Sequence, residues 1–131
     1  SSQAQAIRWV VDSSAVRSID SARISVPGQL KKKPQEDGAN DSTGEWEWRT
    51  DLLASKEYWR EWYENLSALF LGVPIPKLLM LAGTDRLDTP LTIGQMQGKY
   101  MLQVVPQSGH QLQEDAPDDV AEKLHLFVKR F

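Results

Sequence analysis

Apolar residues recur along this chain with two different periods, and the breaks between them divide it into four stretches. In residues 1–27, Ala6, Val10 and Val11 are spaced like one face of a helix, so a helical segment is predicted there. Ser18-Ile-Asp-Ser offers two candidate N-caps before Ala22–Ile24, because either serine hydroxyl can accept from a free backbone amide, and Pro27-Gly28 closes the segment. Residues 28–44, GQLKKKPQEDGANDSTG, hold almost no apolar side chain, three consecutive lysines, one proline and three glycines. Such a stretch cannot offset its ordering entropy by burial, and a mobile surface loop is expected.

The third stretch, 45–74, is aromatic. Glu45-Trp-Glu-Trp-Arg alternates charge with ring, the period of an extended segment with Trp46 and Trp48 on one face. Trp59, Trp62, Tyr63, Leu66, Leu69 and Phe70 then fall on one stripe of a helix predicted over Ser55–Leu71, with the tryptophans read as core and Gly72 and Pro74 as its stop. In the fourth stretch, 75–131, Ile75-Pro-Lys-Leu-Leu-Met-Leu-Ala is a continuous apolar run of the kind found in strands covered on both faces. A short helix is expected over Thr92–Gln97, a second buried strand over Tyr100–Val105, and a final helix from Pro117. That helix carries Val120, Leu124, Phe127, Val128 and Phe131 on one face.

Strand, helix, strand, helix is the order of a parallel βαβ unit with a right-handed crossover, so the fold class is α/β. Two strands alone leave open edges and uncovered helix faces. The chain is therefore expected to be the C-terminal part of a larger sheet: the last two parallel strands with their helices, behind a helical cap segment.

Composition narrows the function more than the fold. The chain has 131 residues, 40% of them apolar, with five tryptophans, enough for one core. Fifteen Lys+Arg against eighteen Asp+Glu give a net charge of −3, so no general basic field exists to hold nucleic acid or an anionic membrane surface, and neither partner is expected. The longest apolar runs fall well short of the ~20 residues of a bilayer span. The absence of cysteine excludes a disulfide framework, a thiolate zinc site and a cysteine nucleophile, and fits a reducing compartment.

Functional side chains of open α/β sheets gather outside the carboxyl ends of the strands. The first strand end presents Asp85 and Asp88, and the second presents His110 directly after Gly109. A strand-end carboxylate followed by a strand-end histidine is the chain order of acid and base in α/β-hydrolases. Imidazole takes a proton from a serine hydroxyl near neutral pH, while a carboxylate fixes its tautomer and stabilises the imidazolium. Against this, lone loop histidines are commonly solvated, and aspartates commonly shape turns by bonding their own backbone. His125 falls on the flank of a helical stripe and reads as a surface residue. Lys31–Lys33 read as solvated charge, with a peptide-docking or localisation role as the minority alternative. No G-x-S-x-G occurs, and Ser108 does not lie on a strand-to-helix elbow, so a candidate base stands without a nucleophile.

The run from Ile75 through Gly83-Thr-Asp-Arg-Leu-Asp, then Leu91-Thr-Ile-Gly-Gln-Met-Gln-Gly-Lys, Val105-Pro-Gln-Ser-Gly-His and Glu114-Asp-Ala-Pro-Asp closely resembles the C-terminal part of protein phosphatase methylesterases. The likeness is near-continuous over the 57 residues from Ile75, and extends upstream through Ala6-Ile-Arg-Trp, Ile19–Gln29 and Lys56-Glu-Tyr-Trp. The resemblance implies an α/β-hydrolase fold and a serine esterase that removes the methyl ester from the C-terminal leucine of the protein phosphatase 2A catalytic subunit. It implies that His110 is the catalytic histidine, that the serine and the acid lie upstream of this region, and that Asp85 and Asp88 are structural or pocket-edge residues. It also implies a cytoplasmic or nuclear protein that requires no metal or organic cofactor. Residues 28–44 fall where the family carries a variable, often acidic insertion, here short and mixed in charge. Two rival readings are a general α/β-hydrolase esterase on a small-molecule ester with Asp85 as its acid, and a non-catalytic module that binds the phosphatase.

Overall fold

The N-terminal helix α1, Gln3–Asp12, opens with a capping box: Ser2 Oγ accepts from the Gln5 amide at 3.2 Å and Gln5 Oε1 accepts from the Ser2 amide at 2.8 Å. The computed structural model describes residues 2–34, 45–83 and 87–131. Ser14, in the left-handed region at φ 59°, turns the chain towards α2, Ile19–Gly28. Of the two candidate caps, Ser18 is the one used, accepting from the Ser21 amide at 3.2 Å. Pro27 lies inside the last turn of α2 rather than beyond it.

The two helices pack on each other through Ala6, Val10, Ala22 and Val26, and Val16 of the connection between them and Leu30 complete this core. Leu30 lies within the stretch expected to be a loop. It is instead the first residue of strand β1, Leu30–Lys32, which pairs antiparallel with β2, Trp46–Trp48. One buried leucine and a ladder partner suffice to order a segment whose composition alone argues against it. Lys31 and Lys33 consequently meet Glu47 at 3.3 Å and Glu45 at 2.8 Å across the ladder, and Lys32 lies over the Trp46 ring, so this charge run serves a hairpin. Residues 35–44 lie outside the described residues.

The single helix expected over Ser55–Leu71 is three pieces: a 3₁₀ helix, Leu53–Tyr58, then α3, Trp59–Tyr63, and α4, Leu66–Gly72. Asn65 at φ 61° breaks the run, a conformation that asparagine tolerates better than most residues. The break also ends the stripe as a core: Trp62, Tyr63, Leu66 and Leu69 are all exposed.

Strand β3, Leu78–Leu81, helix α5, Thr89–Met96, and strand β4, Met101–Val104, form the parallel unit read from the sequence, in the register Leu78 to Met101 and Leu81 to Val104. Helix α5 begins earlier than expected because Asp88 caps it, accepting from the Leu91 amide at 2.8 Å, with Pro90 in the first turn. Gly94 gives α5 its contact with α4, since a Cβ there would lie 2.5 Å from Leu71 Cδ2. After β4 come the short helix α6, Leu112–Asp115, which periodicity missed, and α7, Pro117–Arg130. Helix α7 places Asp118 and Asp119 in its first turn and Lys129 and Arg130 in its last, matching its dipole.

Candidate active site

The loop after β4 is anchored by hydrogen bonds along its length. Val105 at its start is fully buried and closes the ladder through its amide to the Leu81 carbonyl at 2.8 Å. Gln107 takes φ 65°, and the buried Ser108 hydroxyl turns back to donate to the Val105 carbonyl at 2.6 Å. That bond gives the buried Ser108 hydroxyl a place in the turn itself.

Gly109 is buried where α1, α2 and α6 meet. A Cβ on it would collide with the Ser14 carbonyl oxygen and lie 3.0 Å from Asp115 Oδ2, so only glycine fits without movement. Its amide donates to Asp115 Oδ2 at 2.6 Å. The next two amides run onto the turn between α1 and α2: His110 N–H donates to the Ser14 carbonyl at 3.3 Å and Gln111 N–H to the Ala15 carbonyl at 3.0 Å. The His110 backbone is thus held on both sides, while the residue itself is exposed at the carboxyl end of the sheet. A rigid backbone beneath an accessible imidazole is the arrangement a general base needs, because position is fixed by the fold and the ring stays free to meet its partner.

The carboxylate of Asp115 ties this loop to the far end of the chain. Its Oδ1 accepts from the amides of Arg17 at 2.7 Å and Ser18 at 2.8 Å. Beside it, Ser21 Oγ donates to the Glu114 carbonyl at 2.6 Å and Ser25 Oγ to Glu114 Oε2 at 2.8 Å. Ser18 and Ser21 stood out in the sequence only as candidate helix caps, and nothing in the spacing joined them to Asp115 or Glu114. The only local hint was an acidic pair placed just before a proline that starts a helix.

The remaining candidates stand apart from this cluster. Asp88 is a helix cap that also accepts from Ser67 Oγ at 2.5 Å, a structural role in keeping with the turn-forming alternative. The hydroxyl bond from Ser67, with the Leu91 amide second, holds its carboxyl below the ordinary value. Asp85 lies outside the described residues. His125 is exposed on α7. Among the described residues, no group of three or more His, Asp or Glu side chains is placed to hold a metal ion, and no helix is long and apolar enough to cross a membrane.

A sequence profile of the alpha/beta hydrolase family matches residues 4–123. The chain belongs to that family. Its histidine after the last strand and its parallel βαβ unit are what an alpha/beta hydrolase presents at the C-terminal side of its sheet. Relatives with more specific names share most of this alpha/beta hydrolase chain. It is 40% identical to the protein phosphatase methylesterase 1 of Bos taurus, over 95% of this chain and 42% of that protein. It is 44% identical to the probable protein phosphatase methylesterase 1 of Caenorhabditis elegans, over 96% of this chain and 32% of that protein. It is 49% identical to the protein phosphatase methylesterase 1 of Aspergillus fumigatus, over 95% of this chain and 29% of that protein. The chain therefore spans less than half the length of these relatives.

Proposed function

We propose that this chain supplies the general base of a serine methylesterase acting on the C-terminal leucine methyl ester of a protein phosphatase 2A catalytic subunit. The observation that carries the reading is the pairing of an exposed His110 with a backbone locked at Gly109, His110 and Gln111, in a chain 40–49% identical to named methylesterases. In this mechanism His110 takes the proton of a serine hydroxyl as that oxygen adds to the ester carbonyl. The tetrahedral adduct collapses, the C–O bond to the methoxy group breaks, and the imidazolium gives its proton to the departing methoxy oxygen, which leaves as methanol. His110 then removes a proton from water as it attacks the acyl-enzyme, returns it to the serine oxygen as the acyl–oxygen bond breaks, and the leucine leaves with a free carboxylate. The serine and the acid that orients His110 belong to sequence outside this region.

No step of that cycle draws on a metal or an organic cofactor. The reading includes a cytoplasmic or nuclear location, because the proposed substrate is an intracellular phosphatase.

The experiment is His110→Ala in a full-length chain, assayed for loss of the methyl ester from carboxymethylated phosphatase catalytic subunit. Turnover should fall by about 10³-fold or more, with association to the phosphatase retained, because binding spreads over many contacts and proton transfer rests on one imidazole. His125→Ala is the control and should demethylate at the wild-type rate. Wild-type turnover by His110→Ala rejects the mechanism. A wild-type chain that binds the phosphatase without removing its methyl group points to a binding module, and one that cleaves only small esters points to a general esterase.

A further inference from the structure

We infer that Asp115 is the positioning residue of the candidate base, holding His110 in register by clamping the backbone beneath it to the start of α2. The inference rests on the reading of His110 as the base, and it assigns Asp115 no contact with substrate.

The geometry is specific to a carboxylate. Three backbone amides converge on it, two at Oδ1 from Arg17 and Ser18 and one at Oδ2 from Gly109, all at 2.6–2.8 Å. A carboxylate is acceptor-only at both oxygens, so it satisfies all three donors at once. An asparagine would present an amide NH₂ to one of the two donor groups and lose that side of the clamp. The Gly109 amide lies in the peptide one step ahead of the one whose His110 N–H donates to the Ser14 carbonyl at 3.3 Å, so releasing Oδ2 frees the chain that leads into His110 and leaves its position to that longer bond and the Gln111 one. The space around Gly109 offers no alternative seat: a wall of Ser14 and Ala15 carbonyls lies on one side and Asp115 on the other. Loss of the clamp therefore shifts the imidazole rather than unfolding the sheet. Neither β3 nor β4 bonds to Asp115, and the Ser21 and Ser25 bonds to Glu114 still hold α6 to α2.

Displacement of about 1 Å at a reacting group typically costs on the order of 10²-fold in rate. In the full-length enzyme, Asp115→Asn should lower kcat by roughly that factor with KM nearly unchanged, since a residue that acts through His110 alone adds nothing to substrate binding. Asp115→Glu keeps both acceptors but adds a methylene, and should show a smaller loss of the same kind. The decisive comparison is made in a His110→Ala background. There Asp115→Asn should cost nothing further, because a residue acting only through His110 has nothing left to position. A fold-stabilising role would instead lower the residual rate again.

Native-state hydrogen exchange reads the clamp without turnover: Asp115→Asn should speed exchange at Gly109, Arg17 and Ser18 while amides of β3 and β4 keep their protection. Wild-type kcat in Asp115→Asn, a rise in KM alone, a further loss in the His110→Ala background, or unfolding of both Asp115 variants would each overturn the inference. If His110→Ala itself retains full activity, the underlying reading fails, and the exchange data then stand separately as a result about the loop.

Discussion

The Ser67 hydroxyl donates a 2.5 Å hydrogen bond to Asp88 across 21 positions of sequence, so the carboxylate that caps α5 also fastens α4. Because this bond and the Leu91 amide hold the Asp88 carboxyl below its ordinary value of 3.8, the cap is fully ionised above that value and weakens as pH falls through the lowered folded one. Asp88→Ala should therefore destabilise the protein at neutral pH and flatten the acid limb of its thermal stability below about pH 4. Asp88→Asn, another good cap that cannot ionise, should retain most of the neutral-pH stability while also flattening that limb. Melting curves of the three proteins as full-length chains, between neutral and acid pH, are the measurement.

Tyr100 offers the opposite sign. It is buried, its ring packs edge-on against Phe70 at 5.3 Å between centroids, and its hydroxyl donates to the Leu91 carbonyl at 2.8 Å. Burial first, and the charge of Asp88 second, push its phenol above the ordinary 10.0. The folded state thus resists ionisation, and its stability should decline as pH rises from about 10 through the raised folded value. Tyr100→Phe should lose about 1 kcal/mol at neutral pH through the missing hydrogen bond and show a shallower alkaline decline. Denaturant titrations of the full-length chains at neutral and alkaline pH separate the two effects.

Gly109→Ala tests the close approach under the candidate base. Its Cβ would collide first with the backbone carbonyl of Ser14 and also press on the Ala15 carbonyl and the Asp115 carboxylate, so the loop or the α1–α2 turn must move. A destabilisation of about 1–3 kcal/mol is expected, with esterase turnover in the full-length chain falling more than stability explains. Equal thermal midpoints for Gly109→Ala and wild type would mean that the loop yields freely.

Residues 1–131 expressed alone should fold incompletely. Beyond the cluster between α1 and α2, little is buried: Trp62 is 56% exposed, Leu69 65% and Val128 70%. Apolar surface on that scale favours a dye-binding, loosely packed state over a cooperative one. Strong ANS fluorescence with a broad thermal transition is expected, and a sharp two-state transition from the monomer would contradict it.

What could be read from the sequence was what neighbouring residues decide. The α1 face at Ala6 and Val10, the Ser18 cap, the apolar runs of β3 and β4 and the proline start of α7 depend on spacing within one element, and the structure has them where that spacing puts them. The stripe from Trp59 to Phe70 has an unbroken helical period, yet Asn65 in the left-handed region splits it, because a period records which face is apolar and not whether the backbone continues. Leu30 was hidden in a polar stretch since its partner, Trp48, lies across an intervening segment. His110 stood out by following a strand and a glycine, but the Asp115 clamp did not, because no local pattern encodes an acceptor for amides 97 and 98 positions away.

The bonds from Arg17 and Ser18 to Asp115 span 98 and 97 of the 131 positions. Closing so long a loop is entropically costly and waits on whatever folds between its ends. During synthesis from the N-terminus, the helical pair α1–α2 can assemble from local contacts long before Asp115 is made. The two amides at the start of α2 stay exposed to water throughout that interval. The turn carrying His110 is therefore among the last parts of this region to be secured, and its fixing marks the point at which both ends of the chain have met.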